Sequence, residues 1–258
     1  MSVNFINYSG KSNVGKGLSV NEDFIMITEF DDDMLFASVA DGAGGANETF
    51  MPASIVTNQA MRFLRRIYNK DQDLFKENTR LFIEEAFLSA NNILVGFKLG
   101  NEEKFYGYAS TLTCSTISKD GILTFGHVGN TRLYLVRNGS VTLLTHDDTE
   151  GMELVKKGLI SNMDYYKSIE KLNLTNGMGV TPTPSVQTFQ FQLKPGDIII
   201  MTSDGIHYSY QDSAFISIIQ QSETPDDATE MMIDSALKLN NFKDNISTCL
   251  LWYTGTEK

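Results

Sequence analysis

Cysteine is scarce in this 258-residue chain: there are two, Cys114 and Cys249, far apart and each in an apolar run. Such a pair, with no charged-then-apolar leader at the start of the sequence, reads as two buried free thiols and not as a disulfide. Positive charge is also in deficit, 21 Lys and Arg against 32 Asp and Glu, for a net charge of −11. That balance argues against a nucleic-acid partner, because phosphate backbones need a basic footprint. No apolar run approaches the roughly 20 residues of a membrane span, so no membrane partner is expected and the cytoplasm is the expected compartment. Linkers and internal repeats are missing too, and residues 1–258 are read as one domain.

What is present is ordinary for a globular protein, 41% hydrophobic and 21% charged, enough to bury a sizeable core. The chain is organised around Val39-Ala40-Asp41-Gly42-Ala43-Gly44-Gly45, which follows the apolar run Met34–Val39 and precedes an amphipathic helix. An acid at a strand end beside glycine faces solvent while the sheet holds its backbone, and glycine lets a ligand or carbonyl approach closely.

The chain in order supplies more acids at similar places. Val3–Tyr8 suits an edge strand. Gly10-Lys11-Ser12-Asn13-Val14-Gly15-Lys16-Gly17 nearly spells a phosphate-cradling loop, but Gly17 stands where a magnesium-ligating hydroxyl belongs, and a strand, not a helix, is expected to follow. Asn21-Glu22-Asp23 leads into the strand Phe24–Ile27. Asp31-Asp32-Asp33 reads as a solvated hairpin tip, lacking calcium-loop spacing.

Helical spacing then marks Val56, Ala60, Phe63, Leu64 and Ile67, and again Ile83, Ala86, Phe87, Ala90, Ile93, Leu94 and Phe97, an antiparallel pair laid on a sheet. From 107 to 145 the pattern is all-β, with strands at Ala109–Ile117, Ile122–His127, Arg132–Val136 and Ser140–Thr145, the last two joined by the hairpin signal Asn138-Gly139. From about 147 to 176 the pattern weakens into a polar, short-helix insertion of the kind that forms a flap. Ile198–Met201 is a buried strand ending in Ser203-Asp204-Gly205, a second acid-plus-glycine end. Thr224-Pro225-Asp226-Asp227 opens a capped helix, and Lys243-Asp244-Asn245 precedes a last strand, Ile246–Tyr253.

Glu22, Asp23, Asp41, Asp204 and Asp244 thus all lie at strand–loop junctions. If those ends converge, the carboxylates repel one another severely unless cations join them. Hard oxygen donors without cysteine or histidine select magnesium or manganese. Two such ions roughly 3.5–4 Å apart, bridged by one carboxylate, activate water and hold a phosphoryl oxygen. Of the histidines, His127 and His146 read as structural, while His207, three residues past Asp204, is the one placed to reach such a pocket.

The ordered pieces Gly15–Asp23, Asp41–Gly45, Tyr108–Thr111, Val128–Arg132, Leu144–Asp147, Gly179, Ser203–Gly205 and Asp244–Ser247 together resemble the metal-dependent serine/threonine protein phosphatases of the 2C type, in a divergent, bacterial-like form. The resemblance implies an α+β fold, a four-layer sandwich of two central antiparallel β-sheets flanked by antiparallel helix pairs. It implies a phosphomonoester hydrolase that dephosphorylates phosphoserine and phosphothreonine in proteins by a metal-activated water, acting as a monomer with two Mn²⁺ or Mg²⁺ ions. Asp41, Asp204 and Asp244 are the implied catalytic residues. Asp41 would bridge both ions, Glu22 and the Gly42 carbonyl would serve one, and Asp204 and Asp244 the other. Asp23 would act through bound water, with Asn245 supporting the ligands.

Four positions depart from the family pattern. Leu18 stands in place of a phosphate-gripping arginine, leaving Lys16, two residues earlier on the same face of a regular strand, as the substitute cation. Asn130 and Tyr208 replace aspartates associated with a third metal, which leaves a third ion unsupported. Ala43 replaces a histidine found in some members as a proton donor. The alternative reading is a non-catalytic phosphatase-like module that senses metal or docks a partner.

Overall fold

The computed structural model describes the whole chain apart from residues 1, 4, 45–50, 101, 102, 104, 106, 168–172, 240–242 and 256–258; Gly45 of the glycine-rich stretch therefore lies outside the described residues. Strands β1 (Ser2–Val3), β2 (Ile6–Asn13), β3 (Phe24–Asp31), β4 (Met34–Ala40) and the short β5 (Gly42–Ala43) come first, then helices α1 (Pro52–Lys70) and α2 (Gln72–Lys98). After them come β6 (Ala109–Ser110), β7 (Leu112–Ser118), β8 (Ile122–Val128), β9 (Arg132–Arg137) and β10 (Ser140–Leu143). The insertion carries α3 (Glu150–Lys156) and α4 (Asn162–Tyr165), and the chain ends with β11 (Gln187–Gln192), β12 (Ile198–Thr202), α5 (Asp204–His207), α6 (Ala214–Gln221), α7 (Pro225–Leu239) and β13 (Ile246–Tyr253).

One sheet runs β1-β2-β13-β12-β9-β10 and the other β11-β8-β7-β4-β3, with every pairing antiparallel. The period of two along β4 explains why its seven residues read as one apolar run. Leu35, Ala37 and Val39 point between the sheets, meeting Phe125, Leu133, Ile199 and Leu251. Met34, Phe36 and Ala40 point the other way, against Val56, Ala60, Ile83 and Phe87 of α1 and α2. On the far side, Tyr134, Ile198, Ile200 and Leu250 pack under Phe215 and Met232 of α6 and α7. The result is the helix–sheet–sheet–helix sandwich expected. Each large apolar side chain buried this way contributes about 1.5–3 kcal/mol.

Local chemistry set several boundaries as expected. Asn138 (φ 51°) and Gly139 (φ 72°) are both left-handed, the twist a two-residue hairpin between β9 and β10 requires. The Thr224 hydroxyl accepts from the Asp227 N–H at 3.2 Å, and Asp227 Oδ2 accepts from the Thr224 N–H at 3.1 Å, a reciprocal cap on α7. Cys114 and Cys249 are buried free thiols.

Tertiary pairing overrode other expectations. The opening segment is not an edge strand alone: β2 lies between β1 and β13, in register from Ile6↔Tyr253 to Asn13↔Ile246. The strand expected over 109–117 breaks at Thr111, which leaves the ladder to bind Asp41. Residues 16–23 form a turn and loop, β3 beginning only at Phe24, so the regular strand invoked to put Lys16 and Leu18 on one face is not there. Ile93 faces solvent at 41% exposure. The adjoining buried slot holds Asn91, whose amide donates to the carbonyls of Thr181 and Pro182 at 3.1 and 2.9 Å. Strand β11 and helix α6 had no counterpart in the sequence reading.

Candidate active site

The start of β3, the end of β4, the end of β12 and the start of β13 meet at one rim of the sandwich, two strands from each sheet. This places Glu22 and Asp23, Asp41, Asp204, and Asp244 around a common region. Asp41 leaves β4 with its backbone pinned. Its N–H donates to Thr111 Oγ1 at 2.9 Å, and its carbonyl accepts from the Thr111 N–H at 2.8 Å and from Ser110 Oγ at 3.0 Å. Gly42 must be glycine, because a Cβ there would lie 2.7 Å from the Glu22 carbonyl oxygen. That contact stacks the two metal-ligand candidates' backbones on each other.

Asn245 ties its own loop to residues 223 to 231 positions earlier in the sequence. Its Oδ1 accepts from the Glu22 N–H at 2.8 Å, while its Nδ2 donates to the carbonyls of Val14 and Val20 at 2.8 and 3.0 Å. Gly15 (φ 80°) lets that loop approach: a Cβ would fall 1.9 Å from the Asp244 carbonyl oxygen. Asp23 is buried and accepts from Ser203 Oγ at 2.7 Å, and Ser203 Oγ in turn accepts from the Ser247 N–H at 3.0 Å. Asp204 begins α5, and its Oδ2 accepts from Asn130 Nδ2 at 3.2 Å.

The electrostatics are those of crowded anions. Burial, then the charges of Asp23, Asp204, Asp244 and Glu22, hold the Asp41 carboxyl well above the usual carboxylate range. Burial and then the charges of Asp244 and Asp23 do the same to Asp204, against the pull of Asn130. Asp23 is pushed up to about 7 by burial first, with the Ser203 and Ser247 hydrogen bonds opposing and the Asp244 charge adding. Asp244 is raised chiefly by burial. None of the ion pairs found among the described residues neutralises Asp23, Asp41, Asp204 or Asp244.

Among the described residues no three acidic, histidine or cysteine side chains close into a ready-made cation cage. Like charges have no force to draw them to one point; a cation supplies it. The donor set nonetheless fits one. All its atoms are hard oxygens, and Asp204 Oδ1 is buried with no hydrogen-bond partner among the described residues, a costly condition for a carboxylate that a divalent ion relieves.

Asp41, Ala43, Ala109, Ser110, Thr111, Asn130, Leu174 and Asp204 line a cavity of about 120 Å³ here. Lys16 and Leu18 are not among its lining residues. Both are exposed, in and beside the 16–17 turn. The structure adds a cation that sequence reasoning passed over: the Lys243 side chain packs on Gly17, beside Lys16. His207 is buried, with Nδ1 2.9 Å from Thr202 Oγ1 and its ring edge-on to Tyr208 at 4.7 Å. It too lies outside the cavity lining. Ser110, Thr111, Ser203 and Ser247 were also passed over as site residues. The only sequence signal was their place beside the acid-bearing segments.

The sequence profile of protein phosphatase 2C matches residues 9–239. A protein phosphatase 2C-type chain of Streptococcus pyogenes is 27% identical over 245 residues, covering 93% of this chain and 95% of that one. Among solved structures, the serine/threonine phosphatase of S. agalactiae superposes with a TM-score of 0.84 at 24% identity, over 96% of this chain and 100% of that one. The catalytic domain of the serine threonine protein phosphatase PstP, in complex with two manganese ions, superposes with a TM-score of 0.76 at 20% identity, over 96% and 97% of the two chains. The fold, the acid-bearing strand ends and the matched profile agree: this chain belongs to the protein phosphatase 2C family, the metal-dependent serine/threonine protein phosphatases.

Proposed function

We propose that the rim acids form a two-cation centre, loaded with manganese or magnesium, that hydrolyses phosphoserine and phosphothreonine esters in proteins. The observation that carries this reading is that Asp41 and Asp204, from different sheets, line one cavity, with Asp204 Oδ1 buried and without a hydrogen-bond partner among the described residues. Asp41, with the other four acids around it, is the residue we assign as the shared ligand. Glu22 and the Gly42 carbonyl would hold one ion, Asp204 and Asp244 the other, and Asp23 would act through water. The manganese-bound relative supports the choice of metal. Divalent ions held there supply Lewis acidity, lowering the pKa of water and offsetting phosphoryl charge.

The chain's own groups do the rest. Thr111 and Ser110 fix the Asp41 backbone, and Asn245 fixes Glu22. Ser203 holds Asp23 Oδ2 through a short hydrogen bond that favours the ionised carboxylate. Asn130 aims an amide donor at Asp204 where an acid would add a further ligand, so we assign two ions and not three. Lys243, whose side chain packs on Gly17, and its loop neighbour Lys16 are the candidates we assign to a substrate phosphate in the absence of an arginine at Leu18.

We read residues 1–258 as one catalytic unit with 147–176 as its flap, acting as a cytoplasmic monomer. No described helix is long and apolar enough to cross a membrane. The non-catalytic alternative is not favoured, since the family match runs through nearly the whole chain. The test is hydrolysis of a phosphothreonine peptide with added manganese, before and after a chelator. No turnover with any divalent metal would overturn the reading.

A further inference from the structure

Behind Asp204 lies a buried polar assembly that the proposed chemistry does not use. Arg132, 1% exposed, pairs in the sheet with Thr202, two residues before Asp204. Its Nε and Nη2 donate to Asp147 Oδ1 and Oδ2 at 2.9 and 2.7 Å, the fork-on-carboxylate geometry of a strong ion pair. The flap reaches this pair through Tyr165, the last residue of α4, itself 1% exposed, and through Tyr166, whose hydroxyl accepts from Arg132 Nη1 at 3.1 Å. The Tyr165 hydroxyl is 2.6 Å from Asp147 Oδ2, 3.2 Å from Thr149 Oγ1 and 3.0 Å from the Tyr208 hydroxyl.

A phenol has one proton to give. The shortest of these contacts is to a carboxylate, so the proton goes to Asp147, and the Tyr208 hydroxyl must donate to the Tyr165 oxygen. Tyr208 closes α5, its N–H donating to the Asp204 carbonyl at 2.9 Å. The Arg132 guanidinium lies over the rings of Tyr166 and Tyr208 at 5.5 and 5.8 Å from their centroids. One continuous chain of contacts thus runs from the flap, through Asp147 and Tyr208, to the turn that aims the Asp204 carboxylate.

We propose that Tyr165 is a positioning residue: its hydroxyl locks Tyr208, and with it the one-turn helix beginning at Asp204, so that flap docking and cation binding at Asp204 are coupled. The proposal rests on the reading of Asp204 as a cation ligand. Coupling of this kind is reciprocal. A cation bound at Asp204 must tighten the flap by the same factor that a docked flap tightens the cation.

Two readouts other than turnover test it. Calorimetric titration with manganese should show affinity lowered about fivefold in Tyr208→Phe, which removes the Tyr208–Tyr165 hydrogen bond, and at least as much in Tyr165→Phe, which also removes the contact to Asp147. The double variant should be no weaker than Tyr165→Phe alone, which already cuts the Tyr208–Tyr165 link. Trypsin cleavage after the exposed flap residues Lys156 and Lys157 should be slowed by manganese in the wild type and not in Tyr165→Phe. Urea midpoints measured alongside identify any variant that is merely unfolded, and Tyr208→Phe then carries the test for Tyr165→Phe or the reverse. Wild-type protein that takes no manganese would sink the ligand reading, and the coupling with it. Wild-type binding with unchanged affinity in both phenylalanine variants, or manganese protection that persists in Tyr165→Phe, would overturn the coupling alone.

Discussion

The crowded carboxylates predict an unusual pH dependence of stability, with Asp23 as its most direct probe. In the unfolded chain Asp23 ionises near its ordinary value of 3.8, whereas folding pushes it up to about 7. Between those values the folded chain keeps a proton that the unfolded chain has released. Asp23's contribution to folding stability must therefore fall as pH rises through this window and level off above it. From pH 5 to 7 the ceiling is two units at 1.36 kcal/mol each, about 3 kcal/mol. Asp41, Asp204 and Asp244 share the same repulsion, so the loss is spread over the group and Asp23's own part is smaller.

The assay is urea unfolding of chelator-treated protein at pH 5, 6, 7 and 8, set beside Asp23→Asn and beside Asp32→Asn at the hairpin tip. Asp32 is exposed, so its removal corrects for net charge without touching the cluster. The wild type and Asp32→Asn should lose stability in parallel, and Asp23→Asn should lose less. Manganese at a hundred times its dissociation constant should restore about 2.7 kcal/mol at pH 8, and less at pH 5, where protons compete. Stability of the chelated wild type that rose with pH between 5 and 7 would refute the reasoning.

Other substitutions separate the roles. Asp41→Asn removes the charge shared by both ions and should cut manganese-dependent turnover at least about a hundredfold, roughly 2.7 kcal/mol. Asp204→Asn should leave one calorimetric binding event intact. Two surviving events in the Asp41 variant would show that it does not bridge. Leu18→Arg should lower the Michaelis constant for an aryl phosphate by a factor on the order of ten, if the new contact is worth about 1.5 kcal/mol. Lys243→Ala and Lys16→Ala should raise it, and steady-state kinetics showing no change in any of the three would place phosphate elsewhere. Gly15→Ala, which drives a Cβ against the Asp244 carbonyl and strains a left-handed backbone, should cost about 1–3 kcal/mol in urea unfolding and weaken manganese binding. An unaltered midpoint would mean that the 14–22 loop yields freely.

The sequence by itself determined whatever depends on neighbours along the chain. The Asn138-Gly139 turn, the Thr224 cap and the amphipathic stripe of α1 follow from local backbone preference and periodicity, and so were legible before any fold was known. The acids too were identifiable, because carboxylates beside glycine at strand ends stand out in a single pass. Their meeting was implied by the family resemblance and by no local pattern. It depends on antiparallel pairings that bring β2 to β13 and β12 to β9, and on Asn245 clasping a loop more than 220 residues away. Periodicity carries no information about such distant partners. For the same reason the sequence was silent on the Arg132–Asp147 pair, although both residues fell within recognised segments. It also left His207 open as a pocket residue, where the tertiary structure turns its ring to Thr202 and Tyr208. A charged or polar side chain looks alike in sequence whether it faces water or a buried partner; only the packing of the two sheets and the flap decides which.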